Sequence, residues 1–215
     1  MKNHFSWLDL KASIATDQCP VCTMITKRTN QKIEAFQYAH VSDVEFRKTF
    51  IESDGFCQHH SERFFDKGDH LNHAILYHHL LKVKRTRYAQ HNIFRRPRRK
   101  PCLFCEHERV SEKLYVNLFF EALNHPEFHG LYKEKGVVCT THFDAVMKRL
   151  RKKKSPHTKT FEATTLDKYA AYQHDLAEIK RKNDYKHAEE RLNEQERNTW
   201  QIARKLLIDQ GMHRR

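Results

Sequence analysis

The sequence predicts an all-α protein, and three features of composition and pattern lead to this prediction. The chain of 215 residues contains only 5 glycines and 5 prolines, so it has few of the residues that form turns. Charged residues make up 31% of the chain, which is typical of long helices with solvated faces. Several long segments contain neither glycine nor proline and are rich in helix formers. These features argue against an all-β protein.

The first helical segment follows Cys22, where residues 23–40 contain no glycine or proline. A shorter helix is predicted to begin at Ser42–Asp43, since both residue types are good N-caps, and to end at Gly55. A packed helix follows within residues 69–81. Its apolar positions include Leu71, Ile75 and Leu80.

A second set of helices repeats this order. Residues 106–123 again lack glycine and proline, and they carry a broad apolar stripe. The stripe comprises Leu114, Leu118, Phe119, Phe120 and Leu123. His125-Pro126-Glu127 then indicates a helix start, with proline in the first turn beside an acid, and Gly136 indicates its end.

The C-terminal segment predicts two further helices. From about Thr164, apolar residues recur at spacings of three and four, and Asn183–Asp184 is a plausible break. A second helix is predicted over about Asn193–Asp209, with Ile202, Leu206 and Leu207 as its apolar strip, Trp200 at its edge, and Gly211 after it as a stop. We expect both helices to pack on the rest of the protein. The alternatives are an extended arm and a homodimer formed through these helices.

The six cysteines form an internal repeat. Cys102-Leu-Phe-Cys105 repeats Cys19-Pro-Val-Cys22, and Cys139-Thr-Thr-His142 repeats Cys57-Gln-His-His60. The gap between the second and third thiols is 34 residues in the first unit and 33 in the second. Phe46 and Phe50 align with Phe128 and Tyr132. We therefore predict a duplication, with units near residues 15–83 and 98–154.

Each unit offers three thiols and one imidazole, which is a standard ligand set for tetrahedral zinc. In a helix that begins at the third thiol, positions i and i+3 share a face, so Cys57 and His60 can point at one ion, as can Cys139 and His142. The sequence predicts that each Cys-x-x-Cys pair closes on the Cys-x-x-His pair of its own unit. The predicted zinc ligands of the first unit are Cys19, Cys22, Cys57 and His60, and those of the second are Cys102, Cys105, Cys139 and His142. Two Zn²⁺ ions, about one per unit, follow.

Other interpretations of the cysteines remain. Iron–sulfur clusters can use the same ligands, and Cys-x-x-Cys is also the spacing of dithiol redox motifs, although a redox pair leaves the repeated Cys-x-x-His unexplained. Four protein ligands leave no open coordination position, which favours a structural site over a hydrolytic one. His59 lies beside His60, but Thr141 stands at the matching position of the second unit, so we assign His60. His107 has no counterpart in the first unit and is left out.

Two basic patches carry the positive charge of the chain. The formal net charge is +13, and residues 82–101 and 148–159 together hold sixteen Lys and Arg and no acid, so the rest of the chain has a net charge of −3. Such patches attract phosphates or acidic surfaces, although they are also typical of solvated turns. The candidate contacts to nucleic acid, or to an acidic protein, are Lys82, Lys84, Arg85, Arg87, Arg95, Arg96, Arg98, Arg99, Lys100, Arg151, Lys152, Lys153 and Lys154.

The sequence gives a default location for the protein and shows no motif that requires catalysis. No apolar run is long enough to span a membrane, and no secretory signal is visible at the N-terminus, so a cytoplasmic location is the default. Thiols stay reduced there, which favours metal ligands over disulfides. Neither a phosphate loop nor a nucleophile elbow is present, so nothing in the chain demands catalysis.

The order of the motifs resembles a family of uncharacterised prokaryotic proteins known as a domain of unknown function. The resemblance covers Cys19 to about Leu207, and its specific marks are CPxC at Cys19–Cys22, GFCxxH at Gly55–His60 and AILY at Ala74–Tyr77. It implies that the paired units and the tail form one architecture, and it implies no activity. The second unit departs from the pattern, with Leu103 where proline is common and Val137–Val138 before its third thiol.

The expected protein is a zinc-binding helical scaffold or binding protein. It has two related Cys₃His units packed with a C-terminal helical segment. The predicted segments are 1–97, the first unit with its basic linker, 98–160, the second unit, and 161–215, the C-terminal helices, all within one compact domain.

Overall fold

The computed structural model confirms the all-α prediction. It describes residues 4–14, 16, 18–39, 43–68, 70–90, 100–187 and 189–207. Across these ranges there are ten α-helices, a short 3₁₀ helix at Tyr185–His187, and no strand. The helices are α1 (His4–Ile14), α2 (Pro20–Ala39), α3 (Val44–Glu52), α4 (Gln58–Lys67), α5 (His70–Ala89), α6 (Leu103–Ala122), α7 (Pro126–Lys135), α8 (Thr140–Lys152), α9 (Thr158–Lys182) and α10 (Glu194–Leu207). None of these helices combines the length and the apolar character needed to cross a membrane.

The described residues separate into two compact units. Unit 1 takes the residues up to Ile25 and those from Glu112 to Leu207, and unit 2 takes Thr26–Ser111. Both boundaries fall inside helices, α2 and α6. The sequence-based division is placed differently, because its boundary at residue 160 lies within α9 and its boundary at residue 97 lies outside the described residues.

The order of helices repeats along the chain. Helices α2 to α5 have 20, 9, 10 and 20 residues, and α6 to α9 have 20, 10, 13 and 25, which supports the predicted duplication. Cys57 and Cys139 are the N-caps of α4 and α8, with nearly identical backbone angles. The third thiol of each repeat therefore stands at the start of a helix, as predicted.

Local signals explain where the short helices begin and end. The Asp43 carboxylate accepts the backbone N–H of Glu45 at 2.8 Å and so caps α3. Pro126 occupies the first turn of α7. Gly55 follows α3 with φ +89°, a conformation that suits glycine, and its N–H donates to the Phe50 carbonyl at 2.8 Å. Gly136 caps α7, where an added Cβ would lie 2.3 Å from a ring carbon of Tyr132.

The core of unit 2 is an aromatic cluster around Phe56. Its ring centroid lies 4.8 Å from that of Phe50 and 4.9 Å from those of Phe64 and Phe104. Phe46, on α3, is also buried in this cluster. Burial of such rings stabilises this unit by about 1.5–3 kcal/mol for each fully buried side chain.

The core of unit 1 contains the equivalent aromatic pair. Phe128 and Tyr132 of α7 are fully buried and pack on Phe119, at centroid distances of 5.5 and 5.4 Å. The Tyr132 hydroxyl donates to Thr165 Oγ at 2.7 Å, and Thr165 in turn donates to the Phe161 carbonyl. The one polar atom of this buried ring is therefore satisfied.

The C-terminal helices pack within unit 1, as expected. Helix α10 lies against α8 and α9, with Thr199, Ala203 and Leu206 buried. Asn193 and Glu196 form a reciprocal cap at its start: the side chain of each accepts the backbone N–H of the other, at 2.8 and 2.9 Å.

Three leucines predicted to be packed are exposed. Leu71, Leu114 and Leu207 have relative exposures of 65%, 41% and 66%. Each lies at the edge of the apolar face of its helix, and the rest of the protein covers only part of that face. The helical period alone therefore predicts more buried residues than the structure has.

Candidate metal centres

The structure collects the eight predicted ligands into two groups of four, but it exchanges their partners. Centre 1 consists of Cys19, Cys22, Cys139 and His142, all in unit 1, and centre 2 consists of Cys57, His60, Cys102 and Cys105, all in unit 2. In each group the candidate ligand atoms lie within 4.8 Å of one another. The prediction that each Cys-x-x-Cys closes on the Cys-x-x-His of its own repeat is therefore wrong. Each pair from one repeat is completed by the pair from the other.

Helix starts position the ligand pairs. Cys19 immediately precedes α2, and Cys102 immediately precedes α6. Their carbonyls accept the N–H groups of Thr23 and Glu106, each at 3.0 Å. The second thiol of each pair lies on the same face three residues later. The N-terminus of a helix carries partial positive charge, which stabilises thiolates. Each centre therefore lies between the positive ends of two helices.

Centre 1 has the spacing of a tetrahedral site. The Nδ1 atom of His142 lies 3.1 Å from Cys139 Sγ, 3.3 Å from Cys22 Sγ and 3.4 Å from Cys19 Sγ, and the two sulfurs of Cys22 and Cys139 are 3.7 Å apart. Tetrahedral Zn²⁺, with Zn–S of about 2.3 Å and Zn–N of about 2.0 Å, requires S···S of about 3.8 Å and S···N of about 3.5 Å. All four side chains are at least 95% buried.

Centre 2 has the same geometry. The Nδ1 atom of His60 lies 3.2 Å from Cys57 Sγ, 3.4 Å from Cys105 Sγ and 3.8 Å from Cys102 Sγ, and the sulfurs of Cys57 and Cys105 are 3.5 Å apart. Cys57 and Cys105 are only partly buried, whereas every thiol of centre 1 is buried. The two centres therefore present the same ligands with different access to solvent.

A carboxylate that sequence reasoning missed lies behind the His60 ring. Glu108 Oε1 is 3.1 Å from His60 Nε2, the ring nitrogen that faces away from the thiols. The same oxygen accepts from Arg63 at 2.9 Å, and Arg63 also donates to Asn30 Oδ1 at 2.8 Å. A carboxylate in this position fixes the ring orientation and raises the basicity of a ligating histidine. The signal in the sequence was weak, because a charged residue on a helix normally indicates a solvated face.

Centre 1 has a looser version of this arrangement. Glu112 Oε1 lies 3.8 Å from His142 Nε2, which exceeds a direct hydrogen bond. In both centres Nδ1 faces the thiols and Nε2 faces a carboxylate of α6. This consistent orientation marks Nδ1 as the candidate ligand atom of both histidines.

The pKa values of the side chains in centre 2 indicate that the three thiols cannot all ionise easily without a cation. The hydrogen bond from Cys105 lowers the pKa of Cys102 to about 3, a shift that burial opposes and His60 reinforces. The same contact raises the pKa of Cys105. Burial acts to lower the pKa of His60, but hydrogen bonds with Cys102 and Glu108 outweigh it and raise that pKa to about 10. Ionisation of one thiol thus disfavours ionisation of its neighbour, because the two negative charges repel. A bound cation would let all three thiols ionise.

Neighbouring histidines lie outside the two groups of four. His60 supplies the nitrogen beside the thiols, since its Nδ1 lies 3.2 Å from Cys57 Sγ, whereas Nε2 of His59 lies 3.3 Å from Arg63 and groups with His60 and Glu108. His107 Nδ1 lies 3.3 Å from Lys32 Nζ, and burial together with Lys32 lowers the pKa of His107 to about 4. His73 of α5 packs against aromatic rings, including Phe64 at 5.4 Å.

The predicted basic contacts are distributed over both units. Lys84 pairs with Asp54, Lys100 with Glu52, and Arg151 with Glu162. These three cations are thereby partly neutralised. Lys82, Arg85, Lys152, Lys153 and Lys154 are exposed, and Arg87 is half-buried. Arg95, Arg96, Arg98 and Arg99 lie outside the described residues.

Comparison with known proteins places the chain in a family. The family model described as "Family of unknown function (DUF6062)" matches residues 1–94 and 82–206. The "Uncharacterized 23.9 kDa protein in xynA 3'region" of Caldicellulosiruptor sp. (strain Rt8B.4) is 30% identical over 195 residues, which cover 87% of this chain and 93% of that protein. No solved structure matches the chain. The extent of the family match and the full-length similarity together establish that the chain belongs to the DUF6062 family of unknown function.

Proposed function

We propose that this protein is a helical binding or scaffold protein held together by two structural Zn²⁺ ions, one in each centre. The observation that carries the proposal is the grouping of three thiols and one imidazole, twice, at separations suited to a tetrahedral ion. Thiolate and imidazole favour zinc over magnesium or calcium. Reduced thiols of this kind suit the cytoplasm.

A structural role follows from the ligand count. Four protein ligands fill a tetrahedral ion, so no position is left for a substrate or a reactive water. Each ion would join two helix starts that are distant in sequence: the ligand pairs of centre 1 are more than 100 residues apart. Metal binding would then contribute directly to the free energy of folding, since the unfolded chain has no formed site.

The test of the zinc assignment is metal analysis of protein purified without oxygen. We expect about two zinc ions per chain, a colourless protein, and loss of helical circular dichroism with a strong chelator that is reversed by added Zn²⁺. A brown protein containing iron and sulfide would replace zinc with an iron–sulfur cluster. A metal-free protein that keeps its fold in chelator would overturn both metal assignments.

We also propose that the basic patches engage nucleic acid. The supporting observation is the run of exposed cations at the end of α8, where Lys152, Lys153 and Lys154 follow one another. Contacts to phosphate release counterions, so affinity must fall steeply as salt concentration rises. Titration of a labelled oligonucleotide at several salt concentrations tests this, and an affinity independent of salt would exclude phosphate contacts.

A further inference from the structure

A groove in unit 1 combines a lysine of α6 with cations of the basic segment 148–159. It lies between α6 and α8 and has a volume of about 430 Å³. Four cations line it: Lys113, Lys148, Arg149 and Lys152. Of these, only Lys152 belongs to the contacts predicted from the sequence. Lys148 and Arg149 are neighbours within the basic segment 148–159, and the packing of α6 beside α8 in unit 1 adds Lys113 to them.

Within the part of the chain that the structure describes, the lysines of the groove have no acidic partner. Among the described residues, no ion pair is formed by Lys113, Lys148 or Lys152. The carboxylate in the lining, Glu112, is directed at His142. Lys148 and Lys152 lie one turn apart on α8, where like charges repel. An anion placed in the groove relieves this repulsion.

Arg149 has a fixed position in the same groove. Its guanidinium lies 5.3 Å from the centroid of the Phe120 ring, and its Nε is buried without a hydrogen-bond partner in the described structure. A guanidinium held over a ring keeps its plane in place. Such a plane can stack on a base or donate to a phosphate.

The groove also has an apolar floor, to which Val116 and Ala145 contribute. Its volume falls within the range of ligand sites, roughly 300–1,000 Å³. Next to Lys152 in sequence, at the end of α8, lie the exposed cations Arg151, Lys153 and Lys154, of which Arg151 pairs with Glu162. A small anion could use only part of this charge, whereas a chain of phosphates could follow all of it.

We propose that this groove binds the phosphate backbone of a single-stranded nucleic acid, an inference that rests on the proposed nucleic-acid function. Proteins that bind single strands combine a cationic groove along the backbone with surfaces for the base faces. Lys113, Lys148 and Lys152 supply the first element, and Arg149 with the apolar floor supplies the second. A duplex would leave the floor unused, because its bases are stacked inside.

The test compares two double variants with the same change in charge. Lys113→Gln/Lys148→Gln removes two exposed cations from the groove, and Lys133→Gln/Lys135→Gln removes two exposed cations from α7. Binding of a labelled oligothymidylate is followed by fluorescence anisotropy at several salt concentrations between about 50 and 200 mM. Loss of two phosphate contacts lowers the slope of log affinity against log salt by about 1.4. We expect that change in the groove variant and almost none in the α7 variant.

Each contrary result overturns a defined part of the inference. Equal losses in both variants would mean that general surface charge, and not the groove, binds the oligonucleotide. Equal competition by a duplex would remove the preference for single strands, and stronger competition by polyglutamate would point to an acidic protein instead. If the parent protein holds two zinc ions but binds no oligonucleotide, the proposed nucleic-acid function fails as a whole, which is distinct from failure of the groove assignment.

Discussion

The exchange of ligand pairs between repeats can be tested with two double variants of the same composition. Cys22→Ser/Cys139→Ser removes two ligands from centre 1, because these sulfurs lie 3.7 Å apart in the same group. Cys22→Ser/Cys57→Ser removes one ligand from each centre. Both variants lose one thiol from a Cys-x-x-Cys and one from a Cys-x-x-His.

The expected magnitude is a whole number of ions. With two ions in the parent protein, Cys22→Ser alone leaves one intact centre. Adding Cys139→Ser costs no further ion, since centre 1 is already lost, whereas adding Cys57→Ser damages the remaining centre. An intact four-ligand site holds zinc with an apparent free energy of about 10–16 kcal/mol, so it resists a chelator that empties a three-ligand site. The zinc content should therefore be two, one and none for the parent, the Cys139 double variant and the Cys57 double variant.

The assay is elemental analysis after equilibration with a chelator of intermediate affinity, with helical content measured on the same samples. A reversed result, with one ion kept by Cys22→Ser/Cys57→Ser and none by Cys22→Ser/Cys139→Ser, would restore pairing within each repeat and refute the exchange. Equal zinc contents would refute the existence of two independent sets. The corresponding variants of Cys102, combined with Cys57 or Cys139, give an independent replicate from centre 2.

Four further predictions follow from the same structure. Centre 2 should lose zinc before centre 1 when a thiol reagent is added, because Cys57 and Cys105 are partly exposed. Mass spectrometry of the labelled peptides gives the order of modification, and simultaneous loss of both ions would contradict the difference in solvent access. Glu108→Gln should weaken zinc binding at centre 2 by about 10- to 100-fold, because Glu108 lies behind the His60 ring. Glu106→Gln, on the same helix but with its carboxylate paired to Arg109, should not, and competition with a chelator compares the two variants. Burial, His157 and Lys133 hold the pKa of His129 below its usual value of about 6.5. As pH falls, the imidazole is therefore protonated first in the unfolded state, and the free energy of unfolding decreases below about pH 6.5. An NMR titration that gives a raised pKa for His129 would disprove the direction of this pH dependence. Tyr132→Phe should cost about 1 kcal/mol in the free energy of unfolding and Tyr132→Ala about 3–5 kcal/mol, because the first removes one hydrogen bond and the second empties the core; urea unfolding of the metal-loaded protein measures both.

The local parts of the centres could be predicted from the sequence. A spacing of three residues at a helix start brings Cys139 and His142 to one face, whatever the rest of the chain does. The choice between the two partners could not be predicted in this way. The repeats have nearly equal internal spacing, so pairing within a repeat and pairing between repeats use the same chemistry. Only the long-range packing that places the start of α2 with α8 decides between them.

The surroundings of the centres were also beyond sequence reasoning. Glu108 lies on a helix rich in charged residues, and nothing in its spacing distinguishes it from a solvated acid. Lys113 and Lys148 belong to segments 35 residues apart, so their shared groove depends on tertiary structure. By contrast, Lys84 and Lys100 stood out in a basic run, yet each has an acidic partner, since charge along the sequence does not reveal what lies across from it in space.

The exchanged topology also sets the order in which metal-binding side chains leave the ribosome. Cys19, Cys22, Cys57 and His60 emerge first, and together they form a complete but non-native set of four. Centre 2 can close only when Cys105 has been made, and centre 1 must wait for His142, a further 37 residues that take about 2–7 s at usual rates of synthesis. A nascent chain that meets zinc early thus has the wrong partners available before the right ones, and reaching the native pairing requires the first-formed contacts to be exchangeable.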